Sequence, residues 1–150
     1  MRSKSHSTAL ARSVPLLRML DANFNRALEG CRVVEDALRL GRSRRQRSDF
    51  SQLKSLRHRI SALRTRVGLR RLADARDVFG DPGAFRRDGL EGSYRSYHAM
   101  LAANLQRLKE SLRVIEEVGR SMTKGNLAGD AKRLRFQAYA LEGLILSGRP

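Results

Sequence analysis

The chain has 150 residues, room for one domain with one hydrophobic core and too few for two of ordinary size. Its 31 Lys and Arg against 15 Asp and Glu leave a net charge of +16, which calls for an anionic partner: nucleic acid, an acidic membrane surface or phosphorylated small molecules. The single cysteine, Cys31, excludes an intramolecular disulfide framework, no apolar run approaches the ~18 residues of a membrane span, and the first dozen residues lack the apolar core of a secretion signal, so a cytoplasmic protein without a membrane partner is expected.

Residues 1–12, MRSKSHSTALAR, read as a disordered basic tail ahead of one helical domain over 13–150. Ser13 as N-cap, Pro15 in the first turn and Gly41 after the last periodic residue predict a first helix over 14–40. Its apolar seam is Leu17, Leu20, Phe24, Leu28, Cys31, Val34 and Leu38, the alternation of a helix packed in a bundle. A basic connector over 41–47 leads to a second helix, 48–67, with a seam at Leu53, Leu56, Ile60, Leu63 and Val67; it should fray near Gly68. Residues 73–92 hold four glycines and a proline and read as a long loop, a place to look for function. Ser93 opens a third helix to about 121, and Asn126 caps a fourth, 126–146, along Leu127, Ala131, Leu134, Ala138, Leu141 and Ile145. No segment alternates with period two. The predicted class is all-α, an antiparallel four-helix bundle with an internal pseudo-twofold.

The twofold rests on a repeat. Residues 19–36, MLDANFNRALEGCRVVED, return at 100–117 as MLAANLQRLKESLRVIEE, with nine of eighteen positions identical at a constant offset of 81. The polar pairs Asn23/Asn104, Arg26/Arg107, Glu29/Glu110, Arg32/Arg113 and Glu35/Glu116 survive as well as the apolar ones, which a repeat of core packing alone would not require.

At 100° per residue Glu35 falls inside the apolar seam near Phe24, and Glu116 does the same near Leu105. A carboxylate aimed at a core needs a partner, and Arg32 and Arg113 are in reach. Two readings stand: a structural ion-pair network tying the halves together, or a charged cleft between the repeats. Arg26 with Glu29 and Arg107 with Glu110 are i,i+3 pairs; surface pairs contribute only about 0–1 kcal/mol, too little to explain their duplication. Residues 42–76 concentrate twelve Lys and Arg against two Asp, with Arg57, Arg64 and Arg71 at heptad spacing beside the seam, while His58 points away from it. In the loop, Arg76-Asp77-Val78-Phe79-Gly80-Asp81-Pro82-Gly83 is either a tight turn or a ligand loop. Gly80 and Gly83 would allow close backbone approach, and Asp77 and Asp81 would offer oxygens to magnesium. P-loop, dinucleotide-binding and zinc signatures are missing from the sequence.

The segments DANFNRALEGCRVVEDALR at 21–39, LKSLRHRI at 53–60, ARDVFGDPG at 75–83, ANLQRLKESLRVIEE at 103–117 and LRFQAYALEGLI at 134–145 occur in the order of a known family. The chain resembles, over about 14–146, the small helical hydroxymethylpyrimidine phosphate kinases, which stand alone or are fused in front of thiamin phosphate synthase. Lys109 and Ser111 stand where that family has Ala- or Gly-like residues, and Val118-Gly119 replaces a more aromatic end.

The resemblance implies an ATP- and magnesium-dependent transfer of a phosphoryl group to 4-amino-5-hydroxymethyl-2-methylpyrimidine phosphate in thiamin biosynthesis. It places Arg26, Arg32, Arg107 and Arg113 on the transferring phosphates, with Arg57, Arg64, Arg76, Gly80 and Gly83 in substrate or ATP binding. Asn23 and Asn104 would bond the pyrimidine or ribose, and Glu29, Glu35, Glu110, Glu116, Asp77 and Asp81 would hold magnesium or orient the arginines. A homodimer and a separate thiamin phosphate synthase are the protein partners it leaves open. The alternative is a basic helical module for nucleic acid or an acidic protein. Against it, glutamates are duplicated together with the arginines, and few aromatics offer stacking platforms. A third reading, thiamin phosphate synthase activity itself, belongs to an enzyme that resembles a β/α barrel, for which the chain has neither the strands nor the length.

Overall fold

The computed structural model describes residues 3–41, 46–83, 93–122 and 125–147, with side chains from residue 13 in the first helix and from 48 in the second. The described residues are all-α, without a strand: α1 Ser3–Leu40, α2 Gln46–Val67, α3 Leu69–Asp74, α4 Tyr97–Arg120 and α5 Leu127–Ser147. Helix α1 packs on α2 and α4, and α5 closes the arrangement by packing on both α4 and α2. The start of α4 is tied to two helix ends: the Tyr97 hydroxyl donates to the Ala37 carbonyl at 2.6 Å, and His98 Nε2 lies 3.3 Å from the Leu146 carbonyl.

The predicted seams form the core. Leu20, Phe24, Cys31, Val34, Leu53, Ile60, Leu105, Leu112, Ile115 and Ala138 are buried, while Leu28, Val67 and Ile145 lie at its margin. Each fully buried Leu, Ile or Phe contributes about 1.5–3 kcal/mol by leaving water. The two repeated helices approach closely where side chains are smallest. A Cβ on Gly30 of α1 would stand 2.9 Å from the Asn104 carbonyl oxygen of α4.

Three boundaries differ from expectation. Helix α1 starts at Ser3, so Ser13 and Pro15 lie inside it and the tail expected over 1–12 is helical from residue 3. Inside a helix proline loses one amide bond and its ring crowds the carbonyl four residues back, at about 3 kcal/mol, which is why Pro15 reads as a helix start in the sequence although it lies within α1. Ser96, not Ser93, caps α4, because its Oγ accepts from the Ala99 amide at 3.0 Å. Past Gly68, whose φ of 111° breaks α2, the chain re-enters a helix for the six residues of α3, anchored by buried Leu72. A single buried leucine makes no periodic signal. Part of the expected basic connector, 42–45, and the end of the expected loop, 84–92, lie outside the described residues.

Gly30→Ala should lower stability by about 1–3 kcal/mol, since the methyl meets backbone that moves only if α1 and α4 separate. Gly143→Ala, at a helical glycine whose added Cβ meets nothing within 4 Å, should be neutral or stabilising in the same thermal denaturation series.

Candidate functional site

The two buried glutamates organise the charged residues. In the first half, Glu35 accepts from Arg57 Nε at 2.5 Å and Arg57 Nη2 at 3.3 Å, and Arg32 Nη1 stands 3.9 Å away. In the second half, Glu116 Oε2 accepts from Arg135 Nε at 3.0 Å and Nη2 at 2.8 Å. Its Oε1 accepts from Arg120 at 2.7 Å and Arg113 at 3.3 Å. Arg57 and Arg135 thus play the same part, each reaching from the second helix of a pair to the glutamate of the first.

Arg135 was absent from the sequence candidates, yet a signal for it exists. LKSLRHRISAL at 53–63 and AKRLRFQAYAL at 131–141 share Lys, Leu, Arg, Ala and Leu at an offset of 78, aligning Arg57 with Arg135. Two different offsets, 81 and 78, with the loop between them, hide the second stretch from a search at one period.

Burial opposes ionisation of Glu116, but hydrogen bonds from Arg135 and Arg120 and the charges of Arg135 and Arg113 outweigh it and hold the carboxyl below the usual range. The hydrogen bonds to Glu35 and Glu116 raise Arg57 and Arg135 further above ordinary arginine. Cys31, buried beside Glu35, is pushed up to about 12, chiefly by burial; it stays a thiol and is packing, not a nucleophile.

A second cluster was only half foreseen. Asp21, buried and with Ala102 at its repeat position, accepts from Arg76 Nε at 2.7 Å and Nη2 at 2.9 Å, with Arg64 Nη2 3.7 Å away. This pins the base of the loop to α1. Beyond it the chain forms turns: Asp77 Oδ1 accepts from the Gly80 amide at 2.8 Å and Asp81 Oδ1 from the Gly83 amide at 2.9 Å, while Arg18 donates to the Asp77 carbonyl. Both aspartates and both glycines are exposed, and the turn is built from its own side chains.

Arg26, Glu29, Arg107 and Glu110 are exposed, and neither expected i,i+3 pair forms. Glu110 accepts from Gln106 at 2.7 Å and Arg107 donates to Asn104 Oδ1 at 3.2 Å, whereas among the described residues Arg26 and Glu29 have no partner. Asn23 and Asn104 are buried and donate to the carbonyls one turn back, Met19 and Met100, at 2.8 and 2.9 Å. Their duplication is thereby accounted for within the fold. Arg71 of the heptad stripe is exposed.

Among the described residues no ion pair or hydrogen bond joins the Glu35 cluster to the Glu116 cluster. The α1–α4 contact is closed at Gly30 by backbone, and each glutamate is served from its own half. An open groove of about 400 Å³ lies instead on the α1–α2 face, lined by Leu28, Glu29, Arg32, Val33, Arg57 and Ser61. No group of three or more acidic, His or Cys residues able to hold a metal occurs among the described residues. Both oxygens of Glu35 and of Glu116 are taken by arginines, so these glutamates suit arginine positioning and do not fit magnesium, whereas among the described residues Glu29 and Glu110 have no arginine partner.

The model of the ThiD2 family matches residues 18–144, and the chain belongs to that family. It is 37% identical over 133 residues to a thiamine-phosphate synthase of Gloeobacter violaceus, covering 89% of this chain and 37% of that protein. With the thiamine-phosphate synthase of Thermosynechococcus vestitus it shares 39% over 127 residues, 85% of this chain and 34% of that protein. With that of Rhodopirellula baltica it shares 33% over 130 residues. The chain spans about a third of the length of these curated relatives. No solved structure matches it.

Glu116, with its lowered carboxyl, contributes stability that is present above the unfolded value of about 4.3 and disappears as pH falls through its folded value. Glu116→Gln should therefore flatten the acid limb of the melting-temperature profile. Arg135→Ala, which leaves the buried carboxylate without its two-point partner, should cost about 3–5 kcal/mol at pH 7 in denaturant titrations.

Proposed function

We propose that this domain transfers the γ-phosphoryl group of ATP to 4-amino-5-hydroxymethyl-2-methylpyrimidine phosphate, forming the diphosphate used in thiamin biosynthesis. Family membership supports the pathway, since the matched relatives are named for thiamine-phosphate synthesis. The observation that carries the reaction is Arg26: exposed, duplicated as Arg107, and without a partner among the described residues. Among the described residues no ion pair or hydrogen bond engages Arg26, which leaves its guanidinium available to a phosphorylated ligand.

A phosphate oxygen of the monoester attacks the γ-phosphorus as the bond to the β-bridging oxygen breaks and ADP departs. The acceptor's second pKa is near 6, so at pH 7 it is already ionised and no general base is needed. The difficulty is like-charge repulsion, which arginines relieve by neutralising the phosphates and holding them in line. Arg26, Arg32, Arg107 and Arg113 would serve there, with Arg32 and Arg57 set in the groove by Glu35 and Arg113 held by Glu116. Magnesium, when bound with ATP, would neutralise charge on the β- and γ-phosphates, and Glu29 and Glu110 are the carboxylates suited to hold it. We further infer that the four long helices form an antiparallel bundle with an approximate twofold relating α1–α2 to α4–α5. The longer relatives are consistent with a thiamin phosphate synthase receiving the product, fused or separate.

In a coupled assay with ATP and magnesium, the phosphorylated pyrimidine should turn over much faster than the free alcohol, which lacks the monoester the arginines would hold. Equal rates on both would contradict the proposal, and absence of turnover with steeply salt-dependent DNA binding would favour the basic binding module. Arg26→Ala and Arg107→Ala should each lower kcat/KM at least a hundredfold, about 2.7 kcal/mol; the melting temperature should stay unchanged in Arg26→Ala and fall slightly in Arg107→Ala, which gives up the bond to Asn104 Oδ1.

A further inference from the structure

The two half-sites have the same charged frame and different floors. Arg57 and Arg135 occupy matched positions at the offset of 78, as do Ser61 and Tyr139; on the first helices the offset of 81 matches Arg32 with Arg113 and Leu28 with Lys109. On the α1–α2 face, Leu28 and Ser61 leave the groove open beside Arg32 and Arg57. On the α4–α5 face the same two positions close on each other. Lys109 Nζ sits 5.1 Å from the Tyr139 ring centroid and 2.5 Å from Glu142, and Arg135 lies 5.7 Å from the same ring. Phe136 meets Tyr139 edge-on at 6.0 Å, holding the ring in place.

We propose that the open groove on α1–α2 is the seat of the phosphorylated heteroaromatic substrate, and that Tyr139 has closed the matching place on α4–α5. Leu28 and Val33 offer an apolar wall to a planar ring, Arg32 and Arg57 offer charge to a phosphomonoester, and about 400 Å³ is within the range of small-ligand sites. This rests on the reading above for the identity of the ring, and assigns the ligand to one of two halves that the duplication alone leaves equivalent.

The test is isothermal titration of the full chain with two probes, hydroxymethylpyrimidine phosphate and pyridoxine 5′-phosphate, a different heteroaromatic monoester. Ser61→Tyr should place in the first half the ring that Tyr139 places in the second, and weaken probe binding at least tenfold without lowering the melting temperature; Ser61→Leu is a smaller plug with the same expectation. Tyr139→Ser should leave binding unchanged. Unaltered binding in both Ser61 variants, or loss in Tyr139→Ser alone, overturns the assignment, as does failure of wild-type protein to bind either probe. Should both Ser61 variants melt early, Arg32→Ala, at a side chain 55% exposed, decides: unchanged binding overturns the groove. Groove-dependent binding of pyridoxine 5′-phosphate alone would retain the seat and remove the proposed function. Full kinase turnover in a folded Ser61→Tyr variant would retain the function and remove the seat.

Discussion

A carboxylate buried on the apolar face of a helix dictates how the rest of this protein assembles. Glu35 and Glu116 are almost wholly removed from water, and an ion in that setting loses several kcal/mol of hydration that only close, well-aligned counter-charges restore. Arg57 and Arg135 meet the demand with two hydrogen bonds each, and to do so α2 must lie against α1 and α5 against α4. The apolar seams would permit many rotations of these helices. The arginine forks select one.

The same pairing separates positioning from binding. Because Glu35 and Glu116 are committed to arginines, they fix guanidinium groups in place. Arg57 keeps one face toward a groove while its other edge is locked on Glu35, an arrangement that presents charge without the entropy of a free side chain. Asp21 performs a parallel service for the loop, drawing Arg76 and Arg64 together at the base of α1. That contact has no counterpart in the second repeat, where Ala102 stands, so the loop belongs to one half alone.

The two repeated stretches share a charged frame and differ in surface. The residues that bond inside the fold, Asn23/Asn104, Glu35/Glu116 and Arg57/Arg135, are kept because each loss would strand a buried polar group. The positions between them are free to vary at little cost to stability. Where one face has Leu28 and Ser61 the other has Lys109 and Tyr139, a cation over a ring.

The sequence by itself determined the helical class, the four long apolar seams, the burial of both glutamates and the repeat at 81, since each is a periodicity or a local angle that survives projection onto one helix. It also carried the Arg57–Arg135 correspondence, masked by a second offset. What only the tertiary structure decided is which charges meet. Helical arithmetic puts Arg32 in reach of Glu35 and heptad spacing puts Arg57 beside the α2 seam, but which of them bonds the glutamate closely depends on how two helices are rotated against each other. The Asp21–Arg76 contact joins residues 55 apart through a loop with no periodicity, and the short α3 is anchored by the single buried Leu72, which leaves no pattern. Long-range partners are fixed by packing in three dimensions, and a one-dimensional pattern specifies the face a residue occupies without specifying what stands opposite.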